Sequence, residues 1–277
     1  MKRSVLLWII AFVLTLLTAV YQRMTGPTYP LHGSAKIGEY KIDYDLDRSH
    51  GGDKDHNVKI KVPDKNISGL LEYKRYKTND EWHQITMTEE NGYLTASLPH
   101  QPPAGKLLYR VTLSLNDEQV VIPESKAVII RFKGDVPAFI IIPHVILIFM
   151  AMLFSTRTGL EFFNKEPNYK KLAYRTFGLL ILGGMIFGPI MQKYAFGAYW
   201  TGFPFGIDLT DNKTLIAVIG WIIALVALKK STKPQRWILF AAILMFIVFM
   251  IPHSVLGSEL DYNELDKQKN QIEQVTE

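Results

Sequence analysis

The residues best suited to chemistry in this chain are two histidines that share the tripeptide Ile-Pro-His. Ile142-Pro143-His144 and Ile251-Pro252-His253 both lie near the ends of apolar segments. A proline within a helix frees the carbonyl four residues earlier, and such a polar gap could help to position an imidazole. Two facing imidazoles could hold a b-type haem or contribute to a copper or zinc site.

The same histidines have a simpler interpretation as solvated or hydrogen-bonded residues at the level of lipid headgroups. Polar groups near the ends of membrane segments are tolerated far better than groups at the midplane. If a shared site exists, we expect His144 and His253 to approach one another.

Carboxylates accompany these histidines. Asp208 and Asp211 precede one apolar segment, and Glu259 follows His253. A divalent metal could therefore be bound by a mixed set of His144, His253, Asp208 and Glu259. In the alternative interpretation, the two aspartates cap the free amides of the next helix, and Glu259 solvates the start of the C-terminal tail.

A second concentration of polar residues is the run Ser49-His50-Gly51-Gly52-Asp53-Lys54-Asp55-His56. Calcium loops require acidic residues at alternating positions with a closing glutamate, and zinc sites prefer other spacings. Ser49 and His50 are also unsuitable as a catalytic pair, because chain neighbours seldom adopt the geometry of a nucleophile and its base. We therefore predict an exposed, flexible loop between two strands.

The composition excludes several kinds of chemistry. The 277 residues include no cysteine, so disulfides, thiolate metal sites and cysteine nucleophiles are excluded. No glycine-rich phosphate loop, nucleotide fingerprint or HExxH motif occurs. The net charge of +5 is explained by basic connectors, so no nucleic-acid partner is predicted. The balance leans away from an enzyme.

The chain begins with Met1-Lys2-Arg3 and an apolar run from Val5 to Tyr21. This run is longer than the apolar core of a cleavable signal peptide, and it lacks a good small-x-small site. We predict an uncleaved signal anchor over residues 1–28, which sends the following residues across the membrane.

Residues 29–134 have the texture of an all-β domain. Alternating segments predict strands, which are Lys36–Tyr44, His56–Val62, Leu70–Lys77, Trp82–Thr88, Tyr93–Leu98, Leu107–Leu115, Gln119–Ile122 and Ala127–Phe132. Asn91-Gly92 is typical of a type I′ hairpin turn. The pattern resembles immunoglobulin-like and fibronectin type III sandwiches, without the Cys-Trp-Cys set, and Tyr109 is a candidate tyrosine-corner residue.

Four further apolar segments follow, and each could cross a bilayer. They are Val136–Phe154, Leu172–Met191, Thr214–Leu228 and Trp237–Ile251. Basic residues concentrate in the connectors 155–171 and 229–236, which we place in the cytoplasm. Between the second and third of these segments, residues 192–213 form an aromatic and glycine-rich cap that suits a water–lipid interface.

These features predict an α+β membrane protein, a bundle of about five transmembrane helices with an extracytoplasmic immunoglobulin-like sandwich inserted between helices 1 and 2. The helical region is 135–252, and residues 253–277 form an acidic extracytoplasmic tail. The N-terminus would be cytoplasmic, and the outer face would be periplasmic in a Gram-negative cell. The lipid bilayer is the predicted partner, together with other envelope proteins that contact the sandwich or the cap.

Two functions are open on this sequence. The first is a non-catalytic binding or assembly subunit of the cell envelope. The second is a membrane redox or metal protein that binds haem b or a divalent metal through His144 and His253. An absorption spectrum and metal analysis of the purified protein would separate the two functions.

Overall fold

The computed structural model of this chain describes residues 3–164 and 166–276. Helices precede and follow a block of β-strands, so the predicted α+β class is confirmed. The chain divides into a helical unit, Met1–Pro27 with Val136–Ser258, and a β unit, Thr28–Asp135 with Glu259–Glu277. The predicted division set residues 253–277 apart as a tail, whereas the β unit includes Glu259–Glu277.

The β unit contains three sheets. Its strands are β1 (Leu31–Ile37), β2 (Tyr40–Leu46), β3 (Ser49–Gly51), β4 (His56–Lys61), β5 (Ser68–Arg75), β6 (His83–Thr86), β7 (Thr88–Glu90), β8 (Tyr93–Leu98), β9 (Lys106–Leu115), β10 (Glu118–Ile122) and β11 (Val128–Lys133). One sheet pairs β1 with β2, and another has the order β4-β8-β7. The third has the order β3-β11-β9-β5-β6, with β10 also paired to β9.

Two of the predicted strands are divided in the structure. Lys36–Tyr44 spans the turn of the β1-β2 hairpin, in which Gly38 adopts a left-handed φ of 56°. Trp82–Thr88 is interrupted at Met87. As a result β6 belongs to the sheet that contains β5 and β9, and β7 belongs to the three-stranded sheet with β4 and β8. The predicted turn at Asn91-Gly92 is confirmed, because both residues have positive φ, 54° and 81°, between β7 and β8.

The three sheets share one apolar core, because their alternating inward side chains meet. Leu71, Leu98 and Val111 from different strands are fully buried within it. Tyr109 is also fully buried, and its hydroxyl donates to the carbonyl oxygen of Asp47 at 2.8 Å. In a tyrosine corner the acceptor lies only a few residues upstream, so the Tyr109 bond is instead a long-range tie between β9 and the β2-β3 connection.

The C-terminal segment belongs to the β unit through ionic and aromatic contacts. Tyr262 begins helix α7 (Tyr262–Thr276), is 3 % exposed, and donates from its hydroxyl to Gln101 Oε1 at 2.9 Å. Burial raises the pKa of Tyr262 to about 12. Arg75 binds Asp266 at 2.8 Å. The segment is therefore part of a folded unit, although its acidic composition predicted a solvated tail.

The helical unit contains six α-helices among its described residues. They are α1 (Arg3–Thr25), α2 (Ala138–Leu160), α3 (Tyr169–Leu180), α4 (Gly188–Phe196), α5 (Leu209–Lys230) and α6 (Pro234–Met250). A 3-10 turn, Glu161–Phe163, follows α2. A π-helical segment, Ile181–Phe187, joins α3 and α4 into one continuous helix, Tyr169–Phe196.

Four helices of the described chain are long and apolar enough to cross a membrane: Arg3–Thr25, Ala138–Phe163, Tyr169–Phe196 and Leu209–Lys230. The fifth predicted crossing corresponds to α6, an apolar helix of 17 residues. The predicted cytoplasmic connector 155–171 is mostly helical, because α2 continues to Leu160 and α3 begins at Tyr169.

Candidate functional site in the helical unit

The predicted cap is held in place by the carboxylate of Asp211. This carboxylate accepts the backbone N–H of Thr201 at 2.6 Å and the side-chain amide of Gln192 at 3.1 Å. Gln192 also donates to the Thr201 hydroxyl at 2.7 Å. Asp211 is 6 % exposed, and these hydrogen bonds take the place of the bonds to water that its carboxylate loses on burial. The Asp211 side chain therefore anchors the loop between α4 and α5.

Asp208 caps helix α5, as the structural interpretation of its position expected. Its carboxylate accepts the backbone N–H of Thr210 at 2.8 Å, which satisfies one free amide of the first turn. It also accepts the backbone N–H of Ser258 at 2.8 Å, so the cap residue joins two distant segments. Both oxygens of this candidate metal ligand are thus engaged by backbone amides.

Three large apolar side chains of the cap are exposed. Phe203, Phe205 and Ile207 are 70 %, 82 % and 80 % exposed. The backbone beneath them is anchored, because Phe203 N–H donates to Asn212 Oδ1 at 2.7 Å. The cap is therefore an anchored loop with an exposed apolar edge.

A buried lysine, Lys213, is the residue that sequence reasoning missed. Its side chain is 3 % exposed, and its Nζ donates to the carbonyl oxygen of Ile251 at 2.7 Å. Gln22 also donates to Ile251 O, at 3.2 Å, and to Phe249 O at 2.7 Å. Helix α6 ends at Met250, where its last carbonyls lack helical partners. Lys213 and Gln22 supply those partners from two other helices.

His253 follows this helix end and contacts the same lysine. The Nδ1 atom of His253 is 3.5 Å from Lys213 Nζ, a long contact. An ammonium group only donates, so Nδ1 is the acceptor and a neutral His253 ring carries its proton on Nε2. A lysine near the start of an apolar helix is the one sequence signal that could have revealed this contact.

His144 is oriented by a different carbonyl. Its Nδ1 is 2.9 Å from Gly183 O, in the π-helical segment Ile181–Phe187. A carbonyl only accepts, so Nδ1 donates and the neutral ring keeps an unprotonated Nε2. The neighbouring Gly184 permits close approach of α5, since a Cβ there would lie 2.8 Å from Thr214 Cγ2. π-helical turns of this kind are frequent at functional sites.

The predicted site residues have different partners. His144 bonds to Gly183 O, His253 contacts Lys213, and Asp208 accepts two backbone amides. Glu259 belongs to the β unit, where its carboxylate binds Lys106 at 2.7 Å and also pairs with Lys77. Over residues 3–164 and 166–276, no group of three or more histidine, aspartate or glutamate side chains is arranged to hold a metal.

A buried ion pair lies elsewhere in the helical unit. Arg157 and Glu161 are one helical turn apart, their side chains are 3 % and 2 % exposed, and the guanidinium contacts the carboxylate. Glu161 also accepts the Asn168 N–H at 2.8 Å, and Arg157 lies 5.4 Å from the centre of the Trp8 ring. The sequence placed Arg157 in a solvated connector, because nothing local showed that α2 continues through it.

The fold and the site define an α+β protein with long apolar helices and internally bonded polar groups. Comparisons of this chain with protein-family models, curated proteins and solved structures found no match. Its function is therefore argued from its own residues.

Proposed function

We propose that this chain is an integral membrane protein of the cell envelope that crosses the bilayer five times. The support is the surface of the helices, where large apolar side chains such as Phe12, Phe139 and Ile247 are more than half exposed. In water such a surface is unfavourable, whereas in lipid it is the expected one. The 17 residues of α6 span about 26 Å at ~1.5 Å per residue, so the fifth crossing requires flanking residues or local thinning of the bilayer.

The proposed topology has the N-terminus in the cytoplasm, and the β unit, an immunoglobulin-like sandwich, outside. Its support is the basic sequence where α5 meets α6, with Lys229 and Lys230 at the end of α5 and Arg236 in the first turn of α6. Because the chain lacks cysteine, single substitutions give clean labels. Lys230→Cys should resist an impermeant maleimide in intact cells, and Asp117→Cys should react with it. Labelling of Lys230→Cys from outside would contradict the topology.

Within the envelope, the protein acts as a non-catalytic binding or assembly subunit that presents its β unit to other envelope proteins. One observation carries this proposal: the carboxylates suited to chemistry already bind the protein itself. Asp208 and Asp211 accept backbone amides, and Glu259 pairs with lysines. These groups maintain the shape of surfaces, which is the requirement of a binding protein.

A photo-crosslinking experiment tests this function. Tyr93 and Val121 are exposed apolar residues of the β unit, 41 % and 36 % exposed, and interface cores favour such residues. Benzoylphenylalanine at either position should give a protein adduct of defined mass in native membranes. The same probe at Phe205, on the apolar edge of the cap, is expected to react with lipid and serves as the control. Lack of any protein adduct across a set of exposed β-unit positions would contradict a binding role.

The second candidate function is a haem or metal protein that uses His144 and His253. It is favoured by the Nδ1–H bond of His144 to Gly183 O, because metal-ligating histidines commonly donate their second nitrogen to a carbonyl. The absorption spectrum of the detergent-purified chain decides between the candidates. A stoichiometric haem band that His144→Ala removes and His32→Ala, in the β unit, retains would establish the second function. A spectrum without such a band would support the binding protein.

A further inference from the structure

Two histidines of the β unit converge in a way that the sequence did not predict. The run from Ser49 to His56 was expected to be an exposed, flexible loop, yet His56 begins β4 and is 7 % exposed. His50 lies in β3, which pairs with β11 opposite Phe132. The rings of His50 and His56 have centroids 5.0 Å apart. The short loop between them therefore reverses the chain and brings the two imidazole rings into contact.

The nitrogens that face one another are both Nδ1 atoms, and they are 3.3 Å apart. Two ligand atoms of a tetrahedral ion at ~2.0–2.1 Å are separated by about 3.3–3.4 Å, which follows from the tetrahedral angle. The observed separation therefore matches the distance between two imidazole ligands on one tetrahedral zinc ion. It is wider than the roughly 2.8 Å between adjacent ligands in a square-planar copper site with bonds of about 2.0 Å.

The outer nitrogens have the partners that zinc-binding histidines usually have. His50 Nε2 is 2.8 Å from Lys54 O, so it must donate its proton there and keep Nδ1 free as a ligand. His56 Nε2 is 3.8 Å from the Asp47 carboxylate. Ligating histidines characteristically direct their second N–H to a carbonyl or a carboxylate. Both arrangements are present at this pair.

Without a metal, the same contacts conflict. Because His50 Nδ1 is an acceptor, a neutral His56 must donate to it from Nδ1, and His56 Nε2 then has no proton. An unprotonated nitrogen would face the Asp47 carboxylate, so two acceptors would oppose each other. A zinc ion between the Nδ1 atoms moves the His56 proton to Nε2, where it is directed at Asp47. No proton is gained or lost by the pair in that exchange.

The surrounding structure holds these groups in position. Asp47 O accepts the hydroxyl of the buried Tyr109 at 2.8 Å, which fixes the backbone that carries the carboxylate. The His50 ring packs edge-on against the fully buried Phe132, with centroids 5.5 Å apart. A site built on paired strands and a buried aromatic ring is already shaped before an ion arrives.

We propose that His50 and His56 form a two-histidine zinc site in the β unit, with Asp47 and the Lys54 carbonyl orienting the ligands. No third histidine or carboxylate completes the set within the described part of the chain. The two remaining positions are therefore filled by water or by an exogenous ligand. This site is separate from His144 and His253, and it does not depend on the function proposed above.

Zinc titration calorimetry of the tag-free full-length chain in detergent tests the site. His50→Gln is the main variant, because His50 is half-buried and its loss disturbs the core less than loss of His56. This substitution should abolish binding of one Zn²⁺ per chain, and Asp47→Asn should weaken binding by about tenfold or more. His32→Gln, which changes an exposed histidine beside Asp45, is the matched control and should bind like the unaltered chain.

A second readout separates zinc ligation from a structural hydrogen bond. In the ¹⁵N NMR spectrum of histidine-labelled protein, Zn²⁺ should move the His56 proton from Nδ1 to Nε2. The proposal is overturned if the unaltered chain binds no Zn²⁺, if His50→Gln binds it with unchanged affinity, or if the His56 tautomer does not change. Loss of zinc only in His144 or His253 variants would place the ion at the other site and would also overturn it.

Discussion

The β unit fully buries apolar side chains such as Leu71 and Val111, and the helical unit buries apolar side chains such as Trp221 together with the charged residues Arg157, Glu161 and Lys213. The surfaces of the two units differ more strongly than their interiors. Among the described residues, every exposed large apolar side chain belongs to the helical unit except Tyr93, Val121 and Ile272. Both units bury an apolar core, and they differ in how much apolar surface they expose.

The different surfaces of the two units follow from one physical rule if the β unit faces water and the helical unit faces hydrocarbon. In water, apolar side chains collect inside and charged ones remain solvated. In hydrocarbon, polar groups have no solvent partner, so they must bond within the protein. Lys213 with Ile251 O, and Arg157 with Glu161, are such internal bonds. The contrast between the units is the main structural support for the membrane assignment, and three experiments can break or sharpen it.

The largest expected effect is at the buried ion pair. Arg157→Ala leaves Glu161 buried without its counter-charge and should lower the free energy of unfolding by about 3–5 kcal/mol. Arg110 of the β unit pairs with Glu72 at 2.8 Å, but Arg110 is 37 % exposed and the buried Glu72 keeps hydrogen bonds from Gln84 and Thr112, so Arg110→Ala should cost less, about 1–2 kcal/mol. Denaturation of the full-length chain in detergent, followed by circular dichroism, measures both.

The control for the ion pair removes both charges at once. Arg157→Met combined with Glu161→Leu should recover most of the stability, because apolar residues of similar volume commonly replace a buried pair without loss. Equal losses for Arg157→Ala and Arg110→Ala would show that the two units do not differ in how they bury charge.

A smaller effect is expected when one apolar side chain is shortened in each unit. Leu71→Ala opens a cavity in the β-unit core and should cost about 3 kcal/mol. Ile146→Ala removes a side chain that is 56 % exposed on α2 and should change stability by about 0.5 kcal/mol or less. The same detergent denaturation compares them. A loss at Ile146 as large as that at Leu71 would mean that this helix face packs against protein.

The smallest effect is the pH dependence of the β unit. The side chain of Arg110 donates to Glu72 and holds the pKa of that carboxyl below its usual range. A folded pKa below the unfolded value adds stability above about pH 4.3, and this stability is lost as the pH falls through the folded pKa. Glu72→Gln should therefore flatten the decline of the thermal midpoint in acid. The control Glu81→Gln, which changes an exposed carboxylate, should keep the decline in acid. If the unaltered chain and both variants show the same dependence of the thermal midpoint on pH, the Glu72–Arg110 pair does not contribute to it.

Much of this architecture could be predicted from the sequence because its signals are local. Long apolar runs indicate the helices, and Asn91-Gly92 indicates a hairpin whose positive φ values only a few residue types accept. Asp208 before an apolar segment indicates a helix cap, and its side chain does accept the Thr210 amide. Periodicity and turn chemistry act over a few residues, so a single sequence is enough to recognise them.

Only the tertiary structure decided which polar groups meet. Lys213 and Ile251, Arg75 and Asp266, and Tyr109 and Asp47 are far apart in sequence, and each contact depends on how whole elements pack. Even His50 and His56, six positions apart, converge because β3 pairs with β11 and the loop then reverses the chain. The sequence gives the types of these residues, but the packing of the chain determines their partners. A polar group that is buried without a hydrogen-bond partner costs free energy, so packed elements are arranged to pair it.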